Sequence, residues 1–506
     1  MTDLYSLYKS WRNKIAELDR RESLYVIWAY SQAISASSFT MPRDISVPPQ
    51  LVGMKGSALT LWELELIAGE IVLNAGECSR RKRSLMKGTD LVDIVTGLRA
   101  LENEIYGANE GAADVLIEIW RISHRQFTWQ QKRMTAAELT RYYLIYDDAD
   151  IDRICMRLLG LSVYDVFLIG MLFLGVYLTH PRQRYPVICE VPGITPDKID
   201  RWLGFAATDV MTLRSELHRT HKVDESYAYR YSALRQHPII SQQHSGEAEL
   251  VSPIPILVQW RFTVGLYYAL MADDDFANAL GKSFENVCGQ ILERALPAHS
   301  FIVTSQKHYG TKQKPKRTPD WIVEDKDNGL LLIECKALRA TMTAKEALMD
   351  LAALEKNFER LAEGVVQIYE RITEYKQGLW PLKYVKEKML FPIIVTLEDW
   401  FLFGPRVAKL LDDKVVAGLK KAGIDPALTD EAPFAVISVN DLEKLAQVIA
   451  HTKSVFDVVG AKLLDDERRT GAWHGYLVDC AKRYPIHATV FEEEFDALFK
   501  DTLQHA

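Results

Sequence analysis

Two short apolar segments joined by a turn constrain the fold of this chain more than any other feature. Residues 318–324 and 330–336 flank an Asp-Asn-Gly sequence at 327–329, which is typical of the tight turn of a β-hairpin. The two segments are therefore predicted to form neighbouring antiparallel strands. Residues 330–333 are all Leu or Ile, so the second strand is apolar on both faces and is expected to be central and buried.

Charged side chains stand at the ends of these two strands. Pro319-Asp320 opens the first strand, and Glu334-Cys335-Lys336 closes the second. Because strand side chains alternate between faces, Glu334 and Lys336 point the same way and Cys335 points the opposite way. Asp320 is then expected near Glu334 and Lys336. Two carboxylates and an ammonium group at the end of a buried strand need partners, which favours a small metal site over a solvated surface pair.

Composition and charge set the limits for the whole chain. Its 506 residues suggest two to four domains, and 48% hydrophobic with 25% charged residues is ordinary for a soluble globular protein. The net charge is −7, so any surface that binds nucleic acid must be local. Six scattered cysteines without a CxxC pair argue against a zinc ribbon or a disulfide framework and indicate a reducing cytoplasm.

No membrane segment or signal peptide is expected. The run from Val166 to Leu178 is almost wholly apolar but has only 13 residues, whereas a bilayer requires about 20. It is therefore predicted to be a buried core helix. The amino terminus, which begins Met-Thr-Asp-Leu-Tyr, lacks a basic region followed by an apolar segment.

The chain is predicted to have three parts. Residues 1–265 form a mainly helical region for recognition or regulation, 270–400 an α/β core, and 401–506 a mixed α/β extension that packs on the core. In the first part, apolar periodicity predicts helices over 4–38, 60–75, 90–122, 136–146, 151–178 and 195–218.

The α/β core is predicted as helix, strand, strand, strand, helix, strand around a mixed sheet. The predicted elements are a helix over 276–296, a strand over 300–305, a basic loop over 306–317, the two strands above, a helix over 344–375 and a strand over 390–397. The extension is predicted to contain a strand over 433–437 and helices over 441–451, 455–464 and 492–499.

This order, with Pro-Asp opening the second strand and Glu-x-Lys closing the third, resembles the PD-(D/E)XK nuclease superfamily, which has the restriction-endonuclease-like fold. The resemblance covers about 275–400. It implies that Asp320 and Glu334 bind Mg²⁺ or Mn²⁺ and that Lys336 lies beside the attacking water. Glu285, on the preceding helix, matches an extra acidic residue near the metal, and Gln367, on the following helix, matches a glutamine that some members carry. The family cleaves nucleic acid, and DNA is favoured over RNA here.

The residue types suit that chemistry. A divalent ion can neutralise charge on a phosphodiester and acidify a bound water. Mg²⁺ prefers oxygen and often takes only one or two protein carboxylates. The backbone carbonyl of Cys335 can add a ligand, and Lys336 can orient the water or stabilise the phosphate oxygens. For Glu285 a catalytic role and a solvated helix face are equally open, and for Gln367 the structural reading is preferred.

A basic segment precedes the Pro-Asp strand. It carries five cations and no acidic residue, namely Lys307, Lys312, Lys314, Lys316 and Arg317. Contact with phosphates is the functional interpretation, and a solvated loop is the alternative. Two further basic clusters, at 80–87 and 218–235, are open to the same two interpretations.

Two wider alternatives stay open. The helix over 344–375 has an apolar stripe with heptad spacing, which favours packing on the sheet but also permits a homodimer or a partner protein. The core can alternatively be a catalytically inactive scaffold that binds nucleic acid or a protein. A long helical region followed by Gly-x-x-Phe-Glu at 281–285 also resembles bacterial nucleases of phage defence.

Overall fold

A computed structural model describes most of the chain, and all structural statements below refer to the residues it covers. These are residues 4–36, 38–51, 59–77, 82–108, 120, 122–126, 129, 133–224, 226–326, 329–340 and 351–495. Within them the protein is a mixed α/β structure in which helices outnumber strands. The predicted turn at 327–328 and the predicted helix start at 344–350 lie outside the described residues.

The helices are named in chain order. They are α1 (Leu4–Ala16), α2 (Arg20–Ser35), α3 (Leu61–Asn74), α4 (Gly88–Ala108), α5 (Ala136–Tyr146), α6 (Ala149–Leu159), α7 (Val163–Thr179), α8 (Pro196–Ala206), α9 (Val210–Thr220), α10 (Pro255–Phe262), α11 (Val264–Leu270), α12 (Phe276–Ala295), α13 (Leu351–Lys376), α14 (Pro405–Ala422), α15 (Leu428–Glu431), α16 (Val439–Thr452), α17 (Ala461–Leu463), α18 (Asp466–Arg469), α19 (Trp473–Ala481) and α20 (Glu492–Phe495).

The strands form three sheets. They are β1 (Arg182–Tyr185), β2 (Ala207–Asp209), β3 (Ile239–His244), β4 (Glu247–Val251), β5 (Phe301–Ser305), β6 (His308–Thr311), β7 (Lys314–Arg317), β8 (Trp321–Asp325), β9 (Gly329–Lys336), β10 (Met389–Thr396) and β11 (Ala435–Ser438). The central sheet has the order β11-β10-β9-β8-β5, a smaller one has the order β1-β4-β3-β2, and β6 and β7 form a separate hairpin.

The central sheet is mixed, as predicted. Strands β5, β8 and β9 pair antiparallel, whereas β9, β10 and β11 pair parallel. Strand β9 therefore has a neighbour on each side, and its residues 330–333 are all buried. The prediction of a buried central strand is confirmed, because a strand apolar on both faces is stable only when both faces are covered.

Helices cover both faces of this sheet. On one face Val323, Leu331 and Ile333 pack with side chains of α12 and α16 in one hydrophobic core. On the other face Leu330 and Leu332 pack with side chains of α13 and α14 in a second core. The apolar stripe of α13 therefore packs on the sheet, which is the favoured of its two interpretations.

The first hydrophobic core continues into the helical region. Side chains of Tyr146, Phe167 and Phe262 from α5, α7 and α10 belong to the same cluster as the sheet residues, and the Ser283 hydroxyl of α12 donates to the Ile145 carbonyl at 2.8 Å. A further core joins α1 to α4 with side chains of α9, β3, β4 and α10. Part of the helical region thus supports the central sheet directly, and the amino-terminal helices pack on the remainder of that region.

Three predicted helices are each divided in two. The helix predicted over 4–38 breaks where Asp19 caps α2 through the Glu22 amide. The one over 151–178 breaks at Gly160, which has a left-handed φ of 68°. The one over 195–218 is interrupted by β2, after which Asp209 caps α9. Asp19 and Asp209 accept hydrogen bonds from amides at the start of the next helix, whereas the Gly160 amide donates to the Met156 carbonyl at the end of α6.

Two features of the sheets differ from the sequence predictions. The segment predicted as a basic loop is the hairpin β6–β7, whose strands pair from His308 with Arg317 to Thr311 with Lys314. The carboxy-terminal extension contributes β11 to the central sheet, paired with β10. The sheet is therefore completed by residues beyond the predicted core.

Helix α7 is a core helix, as its length predicted. Its residues 166–169 are all buried. Among the described residues, no single helix is both long and apolar enough to cross a membrane, and only the pair α6 and α7, bent by 65° at their junction, meets the length and composition requirement together.

Candidate active site

The register of β8 and β9 brings the two predicted carboxylates together. Trp321 is paired with Ile333 in this antiparallel ladder, so the next position outward sets Asp320 directly opposite Glu334. Residues opposed in this way have Cβ atoms about 5 Å apart. Both side chains are buried, with 7% of Asp320 and 3% of Glu334 exposed.

Pro319 lies just outside the ladder, whose last pair is Trp321 with Ile333. The same register sets it opposite Cys335, and proline has no N–H to donate. The Cys335 amide donates instead to Oδ2 of Asp320 at 2.8 Å. Because the N–H and C=O of a strand residue point to the same side, the Cys335 carbonyl also faces Asp320. This geometry suits the predicted role of that carbonyl.

A cation network surrounds Glu334. Lys336 Nζ donates to Oε1 of Glu334 at 3.0 Å and to Oε1 of Gln367 at 2.8 Å. The Arg371 guanidinium forms an ion pair with Oε2 of Glu334. Gln367 and Arg371 lie one turn apart on α13, which places both over the end of β9. Gln367 therefore belongs to the site, and Arg371 was not predicted from the sequence.

The surroundings of Asp320 favour its protonated form. Gln306 Nε2 donates to its Oδ1 at 2.9 Å. Burial, and after it the neighbouring charges of Glu334 and Glu285, raise the pKa of Asp320 to about 7 against the opposing effects of the Cys335 amide and Arg371. Desolvation is therefore the main reason why this carboxyl group is costly to ionise.

Glu285 lies on α12, which packs on the other face of the sheet, and its charge contributes to the raised pKa of Asp320. Burial raises the pKa of Glu285, and the charge of Glu334 adds to that effect. Its backbone carbonyl accepts a hydrogen bond from Trp321 Nε1 at 2.9 Å. Close packing of α12 requires Gly289, because a Cβ there would lie 1.9 Å from the Trp321 ring. The predicted residue is thus held near the two central carboxylates.

The basic hairpin is attached beside the site. Lys307, Lys312, Lys314, Lys316 and Arg317 are all exposed. Lys316 forms an ion pair with Glu374 of α13, and the Tyr309 hydroxyl donates to the same carboxylate. Glu374 follows Arg371 by one turn, so the helix that touches Glu334 also anchors the hairpin. Lys307 is held at the hairpin base by Thr318, which directly precedes Pro319.

Several cations of the other two basic clusters form ion pairs. Residues 80 and 81 lie outside the described part of the chain, and Arg83 pairs with Asp93. In the third cluster Arg230 pairs with Asp224, and Arg235 pairs with Glu65. These cations support the structural interpretation rather than phosphate contact.

The donors at the candidate site fit a hard divalent cation. Two carboxylates and a carbonyl offer only oxygen, which Mg²⁺ and Mn²⁺ prefer, and Mg²⁺ completes its shell with water. Burial and the charges of Glu334 and Glu285 raise the pKa of Asp320, and a bound cation would oppose both effects by stabilising the ionised form. Across the described ranges, no three His, Cys, Asp or Glu side chains are grouped to hold a metal. Any ion here would therefore depend on two carboxylates, the carbonyl and water.

Two residues of the site, Arg371 and Gln306, were not predicted from the sequence, for different reasons. Arg371 follows Gln367 by four residues, so helical spacing alone places them on one face. That spacing was a usable signal once Gln367 was considered. Gln306 lies in a connection before β6, and nothing in its sequence context points to Asp320.

Comparisons with protein-family models, with curated proteins and with solved structures each gave no significant match to this chain.

Proposed function

We propose that this protein is a metal-dependent nuclease with a PD-(D/E)XK-type core, which hydrolyses phosphodiester bonds, of DNA rather than RNA. The observation that carries the proposal is the opposition of Asp320 and Glu334 at the end of a buried strand, with Lys336 beside them. Burying two like charges together is costly unless they serve a bound cation or share a proton.

Asp320, Glu334 and the Cys335 carbonyl are the groups that would hold Mg²⁺ or Mn²⁺. When bound, such an ion supplies neutralisation of phosphate charge and an acidified water. Glu334 would exchange part of its ion pairing with Lys336 and Arg371 for this role. The released ammonium and guanidinium groups would then be available to a phosphate, the guanidinium in a bidentate manner.

Lys336 is suited to orient the attacking water. Its ammonium lies between Glu334 and Gln367, both of which accept hydrogen bonds from it. Two fixed acceptors leave one N–H free to point at a third oxygen, because an ammonium group has three donors. A Cβ added at Gly364 of α13 would lie 3.3 Å from Lys336 Cε, so the glycine leaves room for this side chain.

The exposed cations of the hairpin β6–β7 are proposed to bind the substrate backbone. The whole chain carries a charge of −7, so a local basic element is needed to attract a polyanion. The hairpin is joined through Glu374 to the helix that carries Arg371. A strand bound along the hairpin would therefore pass close to Asp320 and Glu334.

One observation favours an inactive scaffold as a second candidate. Glu334 is already paired with both Lys336 and Arg371, and a carboxylate neutralised in this way does not need a metal. Calorimetric titration with Mg²⁺ separates the two functions, because a scaffold need not take up the ion. Binding that is lost in Asp320→Ala supports the nuclease.

Activity assays test the proposal directly. Purified protein is incubated with linear and circular DNA and RNA, single- and double-stranded, with Mg²⁺ or Mn²⁺. We expect cleavage by the wild type and its loss in Asp320→Ala and Lys336→Ala. Asp413→Ala and Lys409→Ala, which alter an exposed pair on α14, are matched controls that should retain full activity. Equal cutting by all variants would show that the site assignment is wrong.

A further inference from the structure

A second site of charged residues lies at the carboxyl ends of β10 and β11, and its lining includes neither Asp320 nor Glu334. There a cavity of about 190 Å³ separates the central sheet from the helical region. That volume holds roughly a dozen groups of the size of water. The carboxyl ends of parallel strands are a frequent position for ligand sites in α/β proteins.

The basic residues of the cavity wall are already neutralised. Each of three arginines is bound by a carboxylate: Arg141 by Glu443, Arg235 by Glu65 and Arg339 by Glu398. An anionic ligand would have to displace one of these carboxylates. The wall therefore offers little attraction for a negative group.

Two acidic residues of the same wall are not balanced in this way. Asp441 is 2% exposed, and its Oδ2 accepts from the Ser438 hydroxyl at 2.9 Å. Its Oδ1 is buried and accepts no hydrogen bond from the described residues. The nearest base to that oxygen is His474, whose Nδ1 lies 3.6 Å away.

Asp399 adds a second carboxylate close to Asp441. Its Oδ1 accepts from the Phe401 amide at 2.7 Å. Burial raises the pKa of Asp399 to about 7, and the charge of Asp441 contributes to the same effect. The cavity therefore brings two carboxyl groups together, and the base that faces them is His474.

Five aromatic rings also line the cavity, beside aliphatic and polar side chains. The rings belong to Tyr142, Tyr231, Trp260, Tyr268 and Phe401. Aromatic faces attract cations, and they also pack against flat or apolar groups. Carboxylates together with aromatic rings favour a cationic group carried on a compact apolar body over a hydrated inorganic ion. In agreement, the described residues include no three-ligand metal cluster here.

We propose that this cavity binds a small organic cation, with a primary amine or guanidinium group placed between Asp399 and Asp441 and its apolar body against the aromatic rings. The site involves no residue of the candidate active site. It therefore stands whether or not the protein is a nuclease.

Calorimetry with chosen probes tests the proposal. The cationic probes are phenethylamine, tyramine and agmatine, and the controls are phenethyl alcohol, which is neutral, and phenylacetate, which is anionic. We expect at least one cation to bind the full-length protein with a Kd below 1 mM, and both controls to bind at least tenfold more weakly. Failure of all three cations, or tighter binding of phenylacetate, would overturn the proposal.

Substitutions locate the binding. Asp399→Asn and Asp441→Asn keep an acceptor for their local hydrogen bonds but remove the charge, and each should weaken binding at least tenfold. Asp413→Asn, on the exposed face of α14, should leave the Kd unchanged. If Asp441→Asn does not fold, Asp399→Asn decides, because Asp399 accepts a hydrogen bond from the loop amide of Phe401, which an asparagine oxygen can also accept. Wild-type affinity in Asp399→Asn would contradict the assignment.

Discussion

Asp320 stands directly opposite Glu334 across the antiparallel pair β8 and β9, and both side chains are buried. Opposed like charges are unfavourable on a sheet. Here the arrangement is maintained by Pro319, which lies just outside the ladder, and by the Cys335 amide, which binds Asp320. The local sequence thus builds the carboxylate pair, and α13 supplies the cations that partly neutralise it.

The carboxylate pair should make stability depend on pH. The pKa of Asp320 is raised to about 7 in the folded protein, whereas an aspartate in an unfolded chain has a pKa of about 4. The folded state therefore binds more protons between these values, so the free energy of unfolding falls as pH rises through this window. The contribution of Asp320 is at most about 4 kcal/mol.

Urea unfolding at pH 4.5 and pH 8 without divalent ions measures this effect. Asp399 contributes a slope of the same sign, so the informative quantity is the difference between wild type and Asp320→Asn. We expect the variant to lose less stability on going to pH 8 than the wild type. Identical pH dependence in the two proteins would show that the pKa of Asp320 is not raised in the folded protein.

Arg371 should be needed for activity although it is not a metal ligand. Arg371→Ala removes the ion pair with the buried Glu334 and also a positive charge that lowers the pKa of Asp320. We expect kcat/KM for DNA cleavage to fall at least tenfold. The pH at which activity rises from its low-pH level should also move to a higher value. Arg371→Lys should restore the wild-type pH dependence more fully than the wild-type cleavage rate, because lysine keeps the charge but not the bidentate geometry.

The hairpin should govern affinity for nucleic acid. Reversing two exposed charges in Lys312→Glu/Lys314→Glu should raise the Kd for DNA at least tenfold and reduce the slope of log K against log salt by about 2. Fluorescence anisotropy at several salt concentrations measures both. The double variant Lys420→Glu/Lys421→Glu on α14 makes the same change in net charge elsewhere, and an equal effect there would refute a specific role for the hairpin.

Gly289 should be essential for the packing of α12. In Gly289→Ala the new Cβ would meet the Trp321 ring, and we expect the protein to lose about 2–3 kcal/mol of stability. Gly281→Ala on the same helix meets no atom within 4 Å and should be neutral or stabilising by up to about 1 kcal/mol. Urea denaturation of both variants tests the contrast, which similar stabilities would contradict.

The sequence was sufficient where local rules decide the structure. Proline at 319, the apolar run at 330–333 and the turn residues between them define two strands, and the opposition of Asp320 and Glu334 follows from strand alternation. The helix starts at Thr195 and Ser438 were equally readable, because each supplies an oxygen to a helix amide.

The remainder depends on contacts between distant parts of the chain. Strand β11 joins the sheet by pairing with β10, some forty residues earlier, and no local pattern shows that partnership. Strands β6 and β7 are rich in lysine and lack apolar alternation, so they read as a loop until Glu374 is seen to bind Lys316. Arg371 likewise gains meaning only from its contact with Glu334.

The short sheet of the helical region was missed for a related reason. Strand β1, Arg182–Tyr185, is polar and partly exposed, and β2 has only three residues. Neither has the alternation that marks a half-buried strand. Their pairing with β4 and β3 is what makes them strands.

The position of a bound Mn²⁺ ion decides whether Asp320 and Glu334 form a metal site. Crystals of the wild-type protein grown with Mn²⁺ would give an anomalous difference map in which each ion appears as a peak. We predict a peak between the carboxylates of Asp320 and Glu334, within about 2.3 Å of an oxygen of each, and its loss in Asp320→Ala. A map at saturating Mn²⁺ with no peak there, and with Glu334 still bound by Lys336 and Arg371, would show that these two carboxylates do not hold a divalent cation.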